Sequence, residues 1–146
     1  MKLSVGLAEE RLCCRGAIIL LKNVCLDDGK THNKYIVVLN SSSTFATILF
    51  VLTTSKVDFY NRHANLPVVR IPSNKLACFP LETIIDCREV RTIARADLLN
   101  RYREDKIEYV DRLDNSILDT IVCTVCTSRT VSEETKKQIN PDYGKR

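Results

Sequence analysis

Thr53-Thr54-Ser55-Lys56 gathers three hydroxyls and an ammonium directly after the apolar run Ile48-Leu-Phe-Val-Leu52. Hydroxyls donate to anionic oxygens and an ammonium neutralises them, so this strand end has the chemistry of a phosphate contact. A second cation, Lys34, opens another apolar run, Lys34-Tyr-Ile-Val-Val-Leu-Asn40. Close behind the hydroxyls stand Phe59, Tyr60, Arg62 and His63. Ring faces mixed with positive charge suit the unstacked bases of a single strand. Each feature also has an ordinary reading. Thr53-Thr54-Ser55 fits a strand end running into a turn, Lys34 a solvated charge, the Phe-Tyr pair packing, and His32 and His63 plain loop positions.

Other chemistries find no footing. The sequence has no G-x-x-x-x-G-K-[ST] loop, G-x-G-x-x-G fingerprint, G-x-S-x-G elbow or H-E-x-x-H helix, and only four glycines. Cys123-Thr-Val-Cys126 has redox or zinc spacing, but no second C-x-x-C or spaced His pair completes a metal site. The seven cysteines, Cys13, Cys14, Cys25, Cys78, Cys87, Cys123 and Cys126, are therefore expected to pack as small hydrophobes. No metal and no cofactor is expected. The 22 Lys and Arg against 18 Asp and Glu leave a net charge of +4, which permits a polyanionic partner without demanding one. The longest apolar stretch, Phe45 to Leu52, falls far short of the roughly 18–20 residues of a membrane span. Acids at Glu9 and Glu10 interrupt what a signal peptide would continue as apolar, so a cytoplasmic protein is expected.

The elements that must position these residues are short and rich in β-branched side chains. Residues 16–25, 34–40, 45–54 and 83–93 read as strands, with Asp27-Asp28-Gly29-Lys30 as a turn and Ser41-Ser42-Ser43 as a polar connection. Pro67 and Pro72 bracket Val68-Val69-Arg70-Ile71 and confine it to an edge or an end. Residues 57–67 read as irregular. A helix is expected over 94–104 and a strand over 106–113. Asp114 or Asn115 caps a further helix with Ile117, Leu118, Ile121, Val122 and Val125 on one face. Three regions follow: a lead-in over 1–12, one domain over 13–131, and a polar flexible tail over 132–146, disordered from about residue 138.

The order and spacing of Gly16-Ala-Ile-Ile, Lys34-Tyr-Ile-Val-Val-Leu-Asn, Phe50-Val-Leu-Thr-Thr-Ser-Lys and Ile84-Ile-Asp-Cys-Arg-Glu-Val-Arg-Thr-Ile resemble the PemK/MazF family. These are toxins of bacterial type II toxin–antitoxin systems, and the resemblance covers roughly residues 16–130. It is clearest over Ile85-Asp86-Cys87-Arg88-Glu89-Val90-Arg91-Thr92-Ile93. It implies a mainly β fold with C-terminal helices, a small Src-homology-3-like β-barrel of the PemK/MazF/CcdB kind, usually a homodimer. The implied activity is metal-independent endoribonuclease cleavage of single-stranded RNA, with DNA a second nucleic-acid ligand, neutralised by a cognate antitoxin. The implied catalytic residues are Lys34 and Thr54, with Thr53 the one-residue alternative; RNA would be contacted by Ser55, Lys56, Tyr60, Arg62 and His63. Two positions depart from the family pattern. Lys34 stands where the family has Arg, and Tyr35 where it has Pro, while Asp27 and Asp28 lie out of register with the family's acid. Arg and Lys are not equivalent at a phosphate, since only the guanidinium offers a two-pronged fork. An alternative follows: a catalytically inactive barrel of the same fold that binds protein or nucleic acid.

Overall fold

β-Branched and aliphatic residues in unbroken runs are the mark of strands buried on both faces, and the computed structural model bears that reading out. It describes residues 5–25, 29–40 and 46–144. The turn expected at Asp27-Asp28 and the connection at Ser41–Ser43 lie outside the described residues. The strands are β1 (Ala17–Cys25), β2 (Thr31–Val38), β3 (Thr47–Thr54), β4 (Val68–Ile71), β5 (Thr83–Asp86), β6 (Arg91–Ala94) and β7 (Ile107–Arg112). The helices are α1 (Val5–Leu12), α2 (Asp58–Arg62), α3 (Arg95–Arg103), α4 (Asn115–Thr127) and α5 (Glu133–Ile139).

All strand pairs are antiparallel, and the spatial order is β4-β5-β3-β2-β1-β7, with β6 also on β3. The expected barrel is not closed. Among the described residues β4 pairs only with β5 and β7 only with β1, so the sheet has two ends. β4 is the edge strand that its bracketing prolines require.

Side-chain alternation sorts the sheet into two cores. Ile18, Val37, Leu39, Leu49, Val51, Val69 and Ile85 point to one face, under α4 and α5. Ile19, Ile36, Val38, Ile48 and Phe50 point to the other, under Ala8 and Leu12 of α1 and Leu98 of α3. Asp114 caps α4 by accepting the Ile117 N–H at 2.9 Å, and Leu118, Ile121, Val122 and Val125 are buried. The first and last helices, α1 and α5, join these cores. α1 arises within the region read as a lead-in. α5 arises within the region read as a flexible tail: Ser132 caps it, and Ile139 is 1% exposed. No helix of the described residues is long and apolar enough to cross a membrane.

Other details differ from the sequence reading, beginning with residues 57–67, which were expected to be irregular and contain α2. The segment 83–93 is not one strand. β5 pairs with β3 at Thr53↔Ile85, β6 pairs with it at Phe50↔Arg91, and residues 87–90 form an inserted break between them. Cys123 is exposed, not packed, because it follows Val122 by one residue and so turns off the apolar face of α4. Cys25 is exposed as well, whereas Cys13 and Cys87 are buried.

Candidate nucleic-acid interface

The face that α1 and α3 cover continues beyond them, and there its side chains change from apolar to polar. On β3, Ile48 and Phe50 are buried, Leu52 is partly buried, and Thr54 comes next on the same face. β2 meets β3 in the register Ile36↔Leu52, so the same register places Lys34 opposite Thr54. β5 continues from Thr53↔Ile85, which sets Asp86 opposite Leu52. Three neighbouring strands thus deliver an ammonium, a hydroxyl and a carboxylate to one end of one face. They line a cavity of about 690 Å³ together with Lys56, Phe59, Tyr60, Arg88, Glu89 and Arg91.

The centre of this cavity is a bonded cluster that the sequence reading did not identify. Arg88 grips the Asp86 carboxylate, with Nη2 at 2.6 Å from Oδ2 and Nε at 3.0 Å from Oδ1. The Arg88 backbone N–H also donates to Asp86 Oδ1 at 3.0 Å, and the Tyr60 hydroxyl donates to Oδ2 at 2.9 Å. The Arg88 guanidinium lies 5.7 Å from the centre of the Phe59 ring. Thr130, after α4, donates its hydroxyl to the Arg88 carbonyl and ties the break to the helical layer. α2 is a helix of five residues without a buried side chain, so these contacts to Tyr60 and Phe59 are what hold it at the cavity. Within the strand-like run, the alternation Asp86-Cys87-Arg88-Glu89 was the available signal. Arg88, in the break after β5, bonds Asp86 at the end of that strand, and Glu89 faces Arg91 at 3.3 Å.

The electrostatics of the cavity follow from burial and neighbours. Burial lowers the Lys34 ammonium below its ordinary value, and the nearby Lys56 charge lowers it further. Burial alone would push Asp86 up, but the bonds from Arg88 and Tyr60 outweigh it and hold the carboxyl below its ordinary value. Burial raises the Tyr60 phenol, as does its bond to Asp86, so it remains a proton donor. At neutral pH the cavity therefore carries four cations, Lys34, Lys56, Arg88 and Arg91, against two carboxylates, Asp86 and Glu89. The excess is positive, which suits an anionic group.

The remaining sequence-predicted residues divide clearly. The Thr54 oxygen accepts the Lys56 N–H at 3.1 Å, which leaves its proton for an outward donor bond. Thr53 also lines the cavity, but it is 5% exposed and its hydroxyl proton is already donated to the Tyr35 carbonyl at 3.0 Å. Ser55 lines a second, adjoining cavity. Arg62 and His63 are exposed beyond the cavity lining; the His63 ring stacks on Phe59 with centroids 4.5 Å apart. Among the described residues no group of three or more His, Cys, Asp or Glu side chains could hold a metal ion. No protein-family model matches the chain, and no curated protein matches it in sequence.

Proposed function

We propose that this cleft binds the phosphodiester backbone of single-stranded RNA, and that the protein is a PemK/MazF-like endoribonuclease acting without a metal ion. The observation that carries the reading is the shared cavity of Lys34, Thr54 and Lys56 beside the Tyr60–Asp86–Arg88 cluster. Cleavage would begin with attack of a 2′-oxygen on the adjacent phosphorus while the 2′-hydroxyl proton passes to a base. It would end with loss of the 5′-oxygen, which takes a proton from an acid, leaving a 2′,3′-cyclic phosphate and a free 5′-hydroxyl. Of the two cavity carboxylates, Asp86 stands on the strand beside Thr54 and would be the base, and Lys34 would be the acid. Thr54, Lys56 and Arg88 would stabilise the charge that grows on the equatorial oxygens. On this reading the open sheet is a variant of a Src-homology-3-like barrel, and the cleft lies at one end of one of its faces. The active form is a homodimer in the cytoplasm, and an antitoxin neutralises it.

A second reading is favoured by two observations. Both Asp86 oxygens are already bonded, which weakens it as a base, and Lys34 offers a point charge instead of a fork. The same cleft would then bind nucleic acid without cutting it. Incubation of mixed RNA with the protein in EDTA separates the two. Cleavage by wild type that Lys34→Ala and Thr54→Ala each abolish supports the enzyme; cleavage surviving both removes the site. RNA binding that weakens steeply with salt, without cleavage, supports the second reading. Absence of both cleavage and binding removes both.

A further inference from the structure

The second cavity, about 360 Å³, shares Lys34, Thr53 and Thr54 with the first and lies on the other side of them. Its walls include Tyr35, Phe79, Pro80 and Leu81, with Asn33 and Ser55 at the polar margin. Phe79 is 3% exposed and meets Tyr35 edge to face at 5.3 Å. The backbone around Phe79 is held by turn hydrogen bonds, Phe79 N–H to Leu76 O at 3.0 Å and Asn74 N–H to Phe79 O at 3.1 Å. The Thr83 hydroxyl fixes the Leu81 carbonyl at 3.1 Å. This is a firmly built wall, yet it holds Leu81 outward at 64% exposure. Phe59, at 41%, is held outward in the first cavity. The described residues contain three exposed large hydrophobic side chains, and two of them therefore flank the same cationic, hydroxylated centre. An apolar surface on each side of an anion site matches a base, a phosphate and a second base in sequence.

We infer that the pocket of Tyr35, Pro80 and Leu81 takes one nucleobase of a dinucleotide step whose phosphate lies at Lys34 and Thr54 and whose other base lies on Phe59. This inference rests on the RNA reading and deepens it. The Asn33 side-chain oxygen accepts the Asn23 N–H at 3.1 Å, so its amide nitrogen keeps two protons for the acceptor edge of that base. Base identity is then read on the Leu81 side, and position on the phosphate.

The test uses 2′-O-methyl dinucleoside monophosphates, which cannot be cleaved, against the corresponding nucleoside 3′-monophosphates, by calorimetry. Wild type should bind the dinucleotides about tenfold more tightly than the mononucleotides, the scale of one stacked base. Leu81→Ser should erase most of that ratio, and Asn33→Ala should reorder the four bases. Leu81 is exposed, so the variant is expected to melt with wild type. Mononucleotide binding without a dinucleotide gain, or a gain that Leu81→Ser leaves intact, overturns the second-base pocket but spares the phosphate site. Failure of wild type to bind either probe overturns the RNA reading, and this inference with it.

Discussion

Replacing Arg88 by alanine should destabilise the protein at neutral pH and lose most of that effect in acid. Asp86 and Arg88 form a two-pronged pair whose side chains are 20% and 36% exposed. A hydrogen-bonded ion pair of this kind contributes roughly 1.5–3 kcal/mol when well shielded, and solvent screening at this exposure reduces it to about 1–2 kcal/mol. The sign with pH follows from the direction of the Asp86 shift. Its folded carboxyl lies below the ordinary 3.8, so the stabilisation is complete above that value and disappears as pH falls through the folded one. Arg88→Ala removes the guanidinium bonds but keeps the residue-88 N–H and the Tyr60 bond. The Asp86 carboxyl should therefore rise toward its ordinary value, because burial then meets weaker opposition. The variant also loses the contact with the Phe59 ring, but that loss does not vary with pH. Urea titrations of both proteins at pH 7 and at successive steps below pH 4, with carboxyl chemical shifts followed by NMR, separate the two contributions. A destabilisation of the same size at every pH, or an Asp86 carboxyl that titrates identically in both proteins, refutes the account of this cluster.

Lys34 has a lowered ammonium pKa, so affinity for an oligoribonucleotide should fall as pH rises through that value, below the ordinary 10.5. Lys34→Arg should flatten the dependence, as read by calorimetry across alkaline buffers. Gly16 has φ +91°, and an added Cβ would stand 3.1 Å from Leu118 Cδ2, so Gly16→Ala should cost about 1–3 kcal/mol in urea unfolding. A loss below about 0.5 kcal/mol would show that neither the conformation nor the contact is restrictive. Burial pushes the Cys87 thiol up to about 12, whereas Cys123 is exposed. Brief iodoacetamide labelling of the native protein should therefore modify Cys123 and spare Cys87, as checked by peptide mass spectrometry.

The strands were legible because burial on both faces leaves β-branched runs without polar interruption, as in Ile36-Val37-Val38 and Ile48-Leu49-Phe50-Val51. α4 was legible from its cap and its apolar stripe. What escaped the reading lacked such periodicity. α2 is too short to show a helical repeat. α5 is polar on most of its surface, although Ser132 followed by Glu133 and Glu134 is a helix start in sequence terms. The break after β5 escaped because an inserted loop does not alter composition, only register. Lys34 and Thr54 could be chosen from residue type and strand position. Asp86, Arg88 and Tyr60 could not be joined, because the bond between Tyr60 and Asp86 spans 26 residues and depends on where α2 docks.

An ammonium at Lys34, where the PemK/MazF pattern has a guanidinium, changes how the proposed cleft would hold a phosphate more than whether it could. An arginine there would fix the anion's orientation through paired N–H groups by itself. Here the positive charge is spread over Lys34, Lys56, Arg88 and Arg91, and Arg88 is partly spent on Asp86. Orientation must then come from the walls, from the Thr54 and Tyr60 hydroxyls and from apolar surfaces on either side. On the proposed reading, that division gives a use to Leu81, which a braced loop presents to solvent, and to Phe59, which Arg88 overlies. A site of dispersed charge and fixed walls should select the shape of a nucleotide step more strongly than it selects phosphate alone.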